Sequence, residues 1–208
     1  GTNSSGQPLY WRIVRINGDG SIRLIYNGTS TATTGNSTMI NKGLAFNTSS
    51  NNNMYVGYMY QSNQVHGLVE SSNIKKELDE WYFDNLTGEG EADKIDGNAG
   101  FCGDRTSTTS SSGAPNNTGG TGTTTTYYGA RYRLYTNKTP TFKCTYEDAS
   151  KVKQDLYTTN GSSKGNGKLT YPIGLITADE VAFAGGVYGS SNSSYYLYNN
   201  AAYWTMSP

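Results

Sequence analysis

A capped helix near the C-terminal end is the sequence feature that most constrains what this chain can form. Thr177 and Glu180 have the spacing of a capping box, in which the threonine accepts a hydrogen bond from the backbone three residues on and the glutamate reaches back. Residues 181–184 continue the helix for about one further turn. The glycine pair at 185–186 then ends the helix, because glycine adopts the left-handed conformation without a Cβ penalty. The sequence therefore predicts a short helix that leads into a long Tyr-, Asn- and Ser-rich segment over 187–208.

A β-hairpin is predicted over residues 10–26. Two runs of β-branched and aromatic residues flank an Asn-Gly-Asp-Gly turn at 17–20, whose residues accept positive φ. Strict alternation assigns the apolar side chains of the first strand to opposite faces, Trp11 and Ile13 on one and Val14 and Ile16 on the other. Burial on both faces predicts that this strand lies inside a sheet.

The clearest helical pattern covers residues 72–86. Ser71 or Ser72 can cap it, and its charged side chains fall on the face opposite an apolar stripe, as on a solvated helix surface. Trp81 is interpreted as a core anchor. The stripe consists of Ile74, Leu78, Trp81, Tyr82 and Leu86.

Weaker patterns predict further elements. Residues 127–135 alternate as a strand, on which Arg131 and Arg133 are interpreted as ordinary half-exposed surface cations. The remaining candidates are strands at 55–60 and 141–144 and a short helix within 147–158.

The two cysteines, Cys102 and Cys144, favour a disulfide, because an even count in a chain of secreted character is typical of one. They make no recognisable zinc spacing with the single histidine. Residues 106–126 lie inside the loop that this disulfide would close and consist almost only of Thr, Ser, Gly, Asn and Pro. Such a segment buries too little apolar surface to offset its ordering entropy, so we expect a flexible insertion there, with an ordered arm for subunit contacts as the alternative.

Composition excludes several classes of function. The formal net charge is zero, so no basic excess meets nucleic-acid phosphates. No apolar run approaches the ~20 residues of a membrane span. The 18 tyrosines, 5 phenylalanines and 3 tryptophans can build a core in a chain whose apolar fraction is only 34%. We therefore expect one folded domain over 1–208, with no cofactor and no metal.

No catalytic constellation is recognised. His66 is the only histidine, and no nucleophile-elbow or phosphate-loop sequence accompanies it. A carboxylate pair for glycoside hydrolysis stays open from sequence, although capping already explains Glu180. Asp104 and Arg105 are interpreted as a salt bridge or turn cap beside the disulfide.

Several motifs carry a family resemblance: "WRIVRINGDGSIRLIY", "YVGYMY", "WYFDNL", "FCGDR", "YGARYRL", "TPTFKC" and "GLITADEVAFAGG…YYLYNN…YWTMSP". Together they resemble secreted or surface proteins of gut Firmicutes, often found behind a prepilin-type leader. The final segment is similar, more distantly, to the formylglycine-generating-enzyme branch of the C-type-lectin-like fold. The resemblance implies an α+β, C-type-lectin-like domain: a twisted antiparallel sheet with two main helices and long loops. It also implies further strands after Ser207-Pro208, so we expect a domain truncated at its C-terminus.

The resemblance and the composition of the last segment point to a binding surface. Tyr, Ser, Gly and Asn dominate antibody-like binding loops, where they combine rigid amphipathic area with adaptable hydrogen bonds, and C-type-lectin-like proteins present ligand surfaces in this region. Leu197 and Trp204 are interpreted as core residues within it. The predicted ligand-binding residues are Tyr188, Asn192, Tyr195, Tyr196, Tyr198, Asn199, Asn200 and Tyr203.

The expected function is therefore that of an exported, non-catalytic, adhesin-like surface protein that binds a ligand or protein partner through this C-terminal loop. One alternative is a pilin-like or filament subunit that self-associates, as the prepilin leaders of similar proteins imply. The other is an enzyme related to the formylglycine-generating fold. That activity depends on cysteines in a late segment, and neither Cys102 nor Cys144 holds an equivalent place.

Overall fold

The computed structural model describes residues 1–31, 34–46, 57–60, 67–108, 127–144, 152–161, 165–186 and 190–207, which form a mixed α+β fold. The strands are β1 (Trp11–Ile16), β2 (Ile22–Tyr26), β3 (Met59–Tyr60), β4 (Glu70–Ser71), β5 (Phe101–Cys102), β6 (Ser107–Thr108), β7 (Tyr127–Tyr128) and β8 (Leu156–Tyr157). The helices are α1 (Asn73–Tyr82), α2 (Gly129–Arg131), α3 (Val152–Asp155) and α4 (Ala178–Phe183). Short 3₁₀ turns lie at Gly35–Thr38 and Ala92–Lys94, and π-helical turns at Phe83–Thr87 and Tyr132–Thr136.

The strands pair only two by two. Within the described ranges β1 pairs with β2, β3 with β4, β5 with β8 and β6 with β7, and all four pairs are antiparallel. The α+β class and the antiparallel pairing are therefore confirmed, but the pairs form four separate sheets rather than one. Six of the eight strands are only two residues long.

The β1–β2 hairpin is confirmed, and it contains a β-bulge. Ile13 pairs with Leu24 and Arg15 with Arg23, so Val14 has no partner of its own on β2. A bulge inserts one extra residue into one strand and thereby shifts every later residue of that strand to the other face. The bulge at Val14 therefore changes which side chains share a face of the hairpin.

The predicted faces of β1 were wrong for this reason. Ile16 pairs with Ile22 and lies on the same face as Ile13, not opposite to it. Nor is β1 an inner strand, since β2 is its only strand partner among the described residues. One face, here called the apolar face, carries Trp11, Ile13, Ile16, Ile22, Leu24 and Tyr26. The other, here called the arginine face, carries Arg12, Arg15, Arg23 and Ile25.

Helix α1 follows the predicted pattern. The Ser72 side chain caps it by accepting a hydrogen bond from the Lys75 backbone N–H at 3.0 Å. The helical chain continues through the π-helical turn to Thr87, so residues 72–86 are helical as expected. The predicted stripe points inward, with Ile74, Leu78, Tyr82 and Leu86 buried.

Two apolar clusters form the core. The larger joins Ile74 and Leu78 of α1 to Tyr58, Tyr157 and other buried residues, and the Tyr58 and Tyr157 rings meet edge to face at 5.6 Å. The smaller contains Leu9, Tyr82 and Leu86, with Trp11, Tyr26 and Trp81 packed against it. Aromatic rings thus supply much of the interior, as the composition suggested.

Two of the weaker strand predictions were wrong. After Tyr128 the chain turns into α2 and a π-helical turn instead of continuing as a strand to residue 135. Residues 141–144 form no strand. In both places a residue donates a hydrogen bond to the buried Asp179, Arg133 through its side chain and Thr141 through its backbone N–H.

The other weak predictions are met in part. Of the candidate strand at 55–60, residues 55 and 56 lie outside the described ranges, and β3 occupies its last two positions. The candidate helix at 147–158 appears as α3, followed at once by β8. Its first residues, 147–151, lie outside the described ranges.

The predicted disulfide is present. Cys102 and Cys144 are bonded, with a Cα–Cα distance of 5.4 Å, and close a loop over a sequence separation of 42. Most of the predicted insertion at 106–126 lies outside the described residues, so its expected flexibility stays a prediction. Its base is defined, because β6 and β7 pair there as an antiparallel ladder.

Candidate functional site

Helix α4 positions the C-terminal segment, and its two ends are fixed as predicted. Glu180 N–H donates to Thr177 Oγ1 at 3.2 Å, and Thr177 N–H donates to Glu180 Oε2 at 2.9 Å, which completes the capping box. At the other end Gly185 takes a φ of 102°. The N–H groups of Gly185 and Gly186 donate to the carbonyls of Ala182 and Val181, the pattern of a Schellman motif.

Glu180 also connects α4 to the hairpin. Its carboxylate is buried and accepts a 2.8 Å hydrogen bond from Arg15, while Arg23 Nε lies 3.4 Å away. Both arginines come from the arginine face. Burial lowers the pKa of Arg23, and the attraction of Glu180 opposes that shift. The charged face of the hairpin is therefore directed into the protein, toward α4.

The neighbouring carboxylate, Asp179, binds a second group of residues. Arg133 Nε donates to Asp179 Oδ1 at 2.9 Å, and Arg133 also pairs with Asp104 at 3.0 Å. Thr141 N–H donates to Asp179 Oδ1 at 2.8 Å, and Ser207 Oγ to Asp104 Oδ2 at 2.5 Å. Arg133 is thus a partly buried cation held by two buried carboxylates, and its interpretation as an ordinary surface residue was wrong.

Burial raises the pKa of the Asp104 carboxyl above its ordinary value of 3.8, against the opposing effects of Arg133 and Ser207. Arg105 forms a separate pair with the fully buried Asp155 at 2.7 Å. The pKa of Asp155 is likewise raised by burial, which Arg105 opposes. The interpretation of Asp104 and Arg105 as structural ion-pair residues is confirmed.

The described residues contain one cluster of metal-ligating side chains, formed by Cys102, Cys144 and Asp155. Both sulfur atoms of this cluster are in the disulfide, and the Asp155 carboxylate accepts hydrogen bonds from Arg105. A disulfide sulfur is not a thiolate, the form of cysteine that binds metals. In this oxidised state the cluster offers no metal site.

Several side chains of the predicted tyrosine and asparagine surface contact one another. The hydroxyl oxygens of Tyr195 and Tyr203 lie 3.1 Å apart, and the Tyr195 and Tyr198 rings meet edge to face at 5.8 Å. The Tyr198 hydroxyl donates to Asn200 Oδ1 at 2.8 Å. Burial, followed by the contact with Tyr195, raises the pKa of Tyr203. This part of the segment is therefore an ordered aromatic cluster.

The other predicted residues anchor the segment or face solvent. Asn192 donates to the Gly185 carbonyl at 2.9 Å, and Asn199 donates to Thr38 Oγ1 at 3.3 Å. Tyr196 is exposed, while its carbonyl accepts a 2.9 Å hydrogen bond from Arg12 of the arginine face. Tyr188 lies outside the described residues.

The two residues interpreted as core behave differently. Leu197 is buried. Trp204 is 51% exposed, so it is not a core residue, although its position is fixed. Its indole N–H donates to the Leu44 carbonyl at 2.7 Å, and its ring meets Phe46 edge to face at 5.3 Å.

A large groove opens beside the C-terminal segment. It encloses about 1170 Å³ between β2, α1 and the segments 36–44, 172–176 and 197–204. This volume exceeds the ~300–1,000 Å³ of ordinary small-molecule pockets. A second cavity beside the disulfide encloses only about 70 Å³ and is lined largely by the ion-paired residues. The groove is therefore the candidate binding site.

Three of the predicted residues line this groove: Asn199, Asn200 and Tyr203. The prediction missed the opposite wall, which β2 and α1 supply with Ile22, Leu24, Tyr26, Leu78 and Trp81. A signal for that wall was present, because β2 places Ile22, Leu24 and Tyr26 on one face in a hairpin bordered by polar segments.

The groove wall is aromatic where the hairpin meets α1. Trp11 lies edge to face against Tyr26 at 5.7 Å and against Trp81 at 6.2 Å. The Tyr26 and Trp81 ring centroids are 5.0 Å apart. This cluster gives the groove a fixed apolar end, with the amides of Asn199 and Asn200 on another side.

No helix in the described part of the chain combines the length and the apolar character that crossing a bilayer requires. No family model, curated protein or solved structure matches the chain significantly.

Proposed function

We propose that this protein is an exported, non-catalytic, adhesin-like surface protein that binds a partner in the groove between the hairpin and the C-terminal segment. The observation that carries the proposal is the groove itself. It is large, it is walled by aliphatic and aromatic side chains, and amide and phenol groups of the predicted binding segment border it. Binding sites of proteins are concave and mostly apolar, with a few polar groups that fix orientation.

The rigidity of the walls supports this proposal. Arg12 of the hairpin donates hydrogen bonds to two carbonyls of the segment 190–207. Asn199 of the same segment donates to Thr38, in the turn at Gly35–Thr38. On the opposite side, Glu180 holds the hairpin through Arg15 and Arg23. Preorganised walls lower the entropic cost of binding.

The disulfide supports export, since such bonds persist in oxidising compartments. With both sulfurs bonded, the chain presents no thiol for the cysteine chemistry of the formylglycine-generating enzymes, so we favour binding over catalysis. We also propose that the domain is C-type-lectin-like. Its hairpin, its two main helices and its long C-terminal segment are consistent with that architecture.

Selection from defined libraries tests the proposed function. A phage-displayed random peptide library and a glycan array would be applied to the wild-type chain and to two variants. Leu24→Asp places a charge in the groove, whereas Val69→Asp changes a side chain that is also exposed and apolar but lies outside it. We expect binders that are retained by Val69→Asp and weakened at least about tenfold by Leu24→Asp, a loss of ~1.4 kcal/mol. Binders that tolerate both substitutions equally, or the absence of binders in both libraries, would contradict the proposal.

A filament subunit is the second candidate. The observation in its favour is that no strand of the described residues pairs with the outer edge of β1 or β2. Such an edge can accept a strand from another chain. Light scattering across a range of protein concentrations tests this alternative, because a persistent monomer would contradict self-assembly through that edge.

A further inference from the structure

The hairpin is oriented with its charged face inward and much of its apolar face outward. The arginine face is bound to Glu180 and to the carbonyls of the C-terminal segment. On the apolar face, Ile13, Ile16, Ile22 and Leu24 are between 43% and 70% exposed. Ile22 and Leu24 also line the groove, so the exposed face and the apolar wall of the groove form one larger apolar surface, of the kind that marks interaction sites.

The hairpin borders the groove. Every residue from 21 to 27 lines it, and so do Trp11, Arg12, Val14 and Arg15 of β1. No strand of the described residues pairs with the outer edge of β2. That edge can therefore accept a further strand beside the groove.

The hydrogen-bonding pattern identifies which amides of β2 point away from β1. Asn17 N–H donates to the Ser21 carbonyl, and Asn27 N–H donates to the Tyr10 carbonyl, so residues 21 and 27 bond toward β1. Bonding alternates along an antiparallel strand. The N–H and C=O groups of Ile22, Leu24 and Tyr26 consequently point outward, while those of Arg23 and Ile25 point toward β1.

The available area argues against a second copy docked flat on the apolar face. Four half-exposed aliphatic side chains offer on the order of 200 Å² of apolar surface for burial. This is the area that corresponds to about half of their transfer free energy at roughly 25 cal/mol per Å². A stable complex buries about 800 Å² on each partner. An occupant must therefore enter the groove as well as cover the face, and a narrow extended chain can do both.

We propose, resting on the proposed function, that the partner binds as an extended polypeptide strand with alternating apolar residues. The strand pairs with the outer edge of β2 through the outward groups of Ile22, Leu24 and Tyr26. Its apolar side chains pack on Ile22 and Leu24, and its other end enters the groove toward Trp204. This is strand addition, in which backbone bonds supply affinity and side-chain pockets supply specificity.

Amide hydrogen exchange measured by NMR tests the inference. The probe is a soluble synthetic peptide that alternates valine with threonine and lysine. We expect exchange at Ile22, Leu24 and Tyr26 to slow by about tenfold when the peptide occupies the edge roughly nine-tenths of the time. Arg23 and Ile25 already bond toward β1, so their exchange should change little. A peptide with proline at alternate positions lacks the required N–H groups and should give no protection.

The outcomes separate the inference from the proposed function. Chemical-shift changes at Leu78 and Trp204 without slowed exchange at the three outward amides would overturn strand addition and leave groove binding intact. Absence of any spectral change at the highest soluble peptide concentration would overturn the inference. The proposed function would still be tested independently by the library selection. Protection of the same amides in the peptide-free chain, rising with its concentration, would show a second copy at the edge and overturn the inference of a separate partner. In the Leu24→Asp variant we expect peptide affinity to fall at least tenfold, with Val69→Asp unchanged.

Discussion

Glu180 joins helix α4 to both strands of the hairpin through one buried side chain. It closes the capping box of α4 and binds Arg15 and Arg23 of the hairpin. Removing one partner of a buried ion pair is costly, because an uncompensated charge stays buried. A single residue therefore sets both the start of α4 and the position of one groove wall.

The first prediction concerns this residue. Glu180→Gln leaves the two arginines without their carboxylate, so we expect the free energy of unfolding to fall by about 3 kcal/mol. Urea denaturation measures the change. Glu89→Gln, which neutralises an exposed glutamate, is the matched control and should be nearly neutral. Equal unfolding free energies of the two variants would show that the ion pairs of Glu180 with the hairpin do not stabilise the fold.

Asp104 makes a second prediction, on pH dependence. Burial raises its pKa in the folded chain above the ordinary value of 3.8, so the folded state holds this proton more firmly than the unfolded state. Its contribution to stability is therefore fully present below that ordinary value and is lost as the pH rises through the folded pKa. In Asp104→Asn we expect a weaker decline of the unfolding free energy over the same rise in pH.

Denaturant unfolding at a series of pH values measures this difference. Asp155 has a pKa raised in the same direction and remains in both proteins, so it cancels from the comparison. If the variant lost stability more steeply than the wild type as the pH rose, the assigned direction of the Asp104 shift would be wrong.

Among the elements, those fixed by local chemistry could be predicted from sequence. Ser72, Thr177, Glu180 and Gly185 specify helix ends through bonds to residues a few positions away. The disulfide followed from an even cysteine count. Local rules of this kind need no knowledge of distant partners.

The elements that failed depend on distant partners. Residues 127–135 alternate like a strand, but from Gly129 to Thr136 the chain forms a helix and a π-helical turn, in which Arg133 reaches Asp104 and Asp179. The bulge at Val14 likewise leaves no mark in the alternation of β1. Alternation of apolar and polar residues favours a strand, but long-range contacts and bulges can override this preference at a given position.

The disulfide allows a test at this scale. Replacing both Cys102 and Cys144 by alanine opens a loop of sequence separation 42, and loop-closure entropy predicts a loss of about 4 kcal/mol in the free energy of unfolding. Chemical denaturation under non-reducing conditions gives the value. An unchanged denaturation midpoint in the double variant would mean that the disulfide does not stabilise the fold by reducing the conformational entropy of the unfolded chain.

At the scale of the whole molecule, the candidate site combines a predicted wall with one that sequence reasoning missed. The C-terminal segment was recognised by its composition, and Asn199, Asn200 and Tyr203 border the groove. Composition could not show that Tyr195 and Tyr198 contact one another and lie outside this groove. The missed wall consists of side chains of β2 and α1, whose place opposite the C-terminal segment depends on the packing of the hairpin with its arginines inward.

Photo-crosslinking tests most directly the claim that the groove, rather than the exposed part of the C-terminal segment outside it, is the binding site. A benzophenone amino acid would replace Leu24, which lines the groove, or Tyr196, which is exposed and outside it. Each protein would then be irradiated with a peptide or glycan recovered in the library selection. We predict crosslinks from position 24 and none from position 196. Crosslinks from position 196 alone would contradict the account.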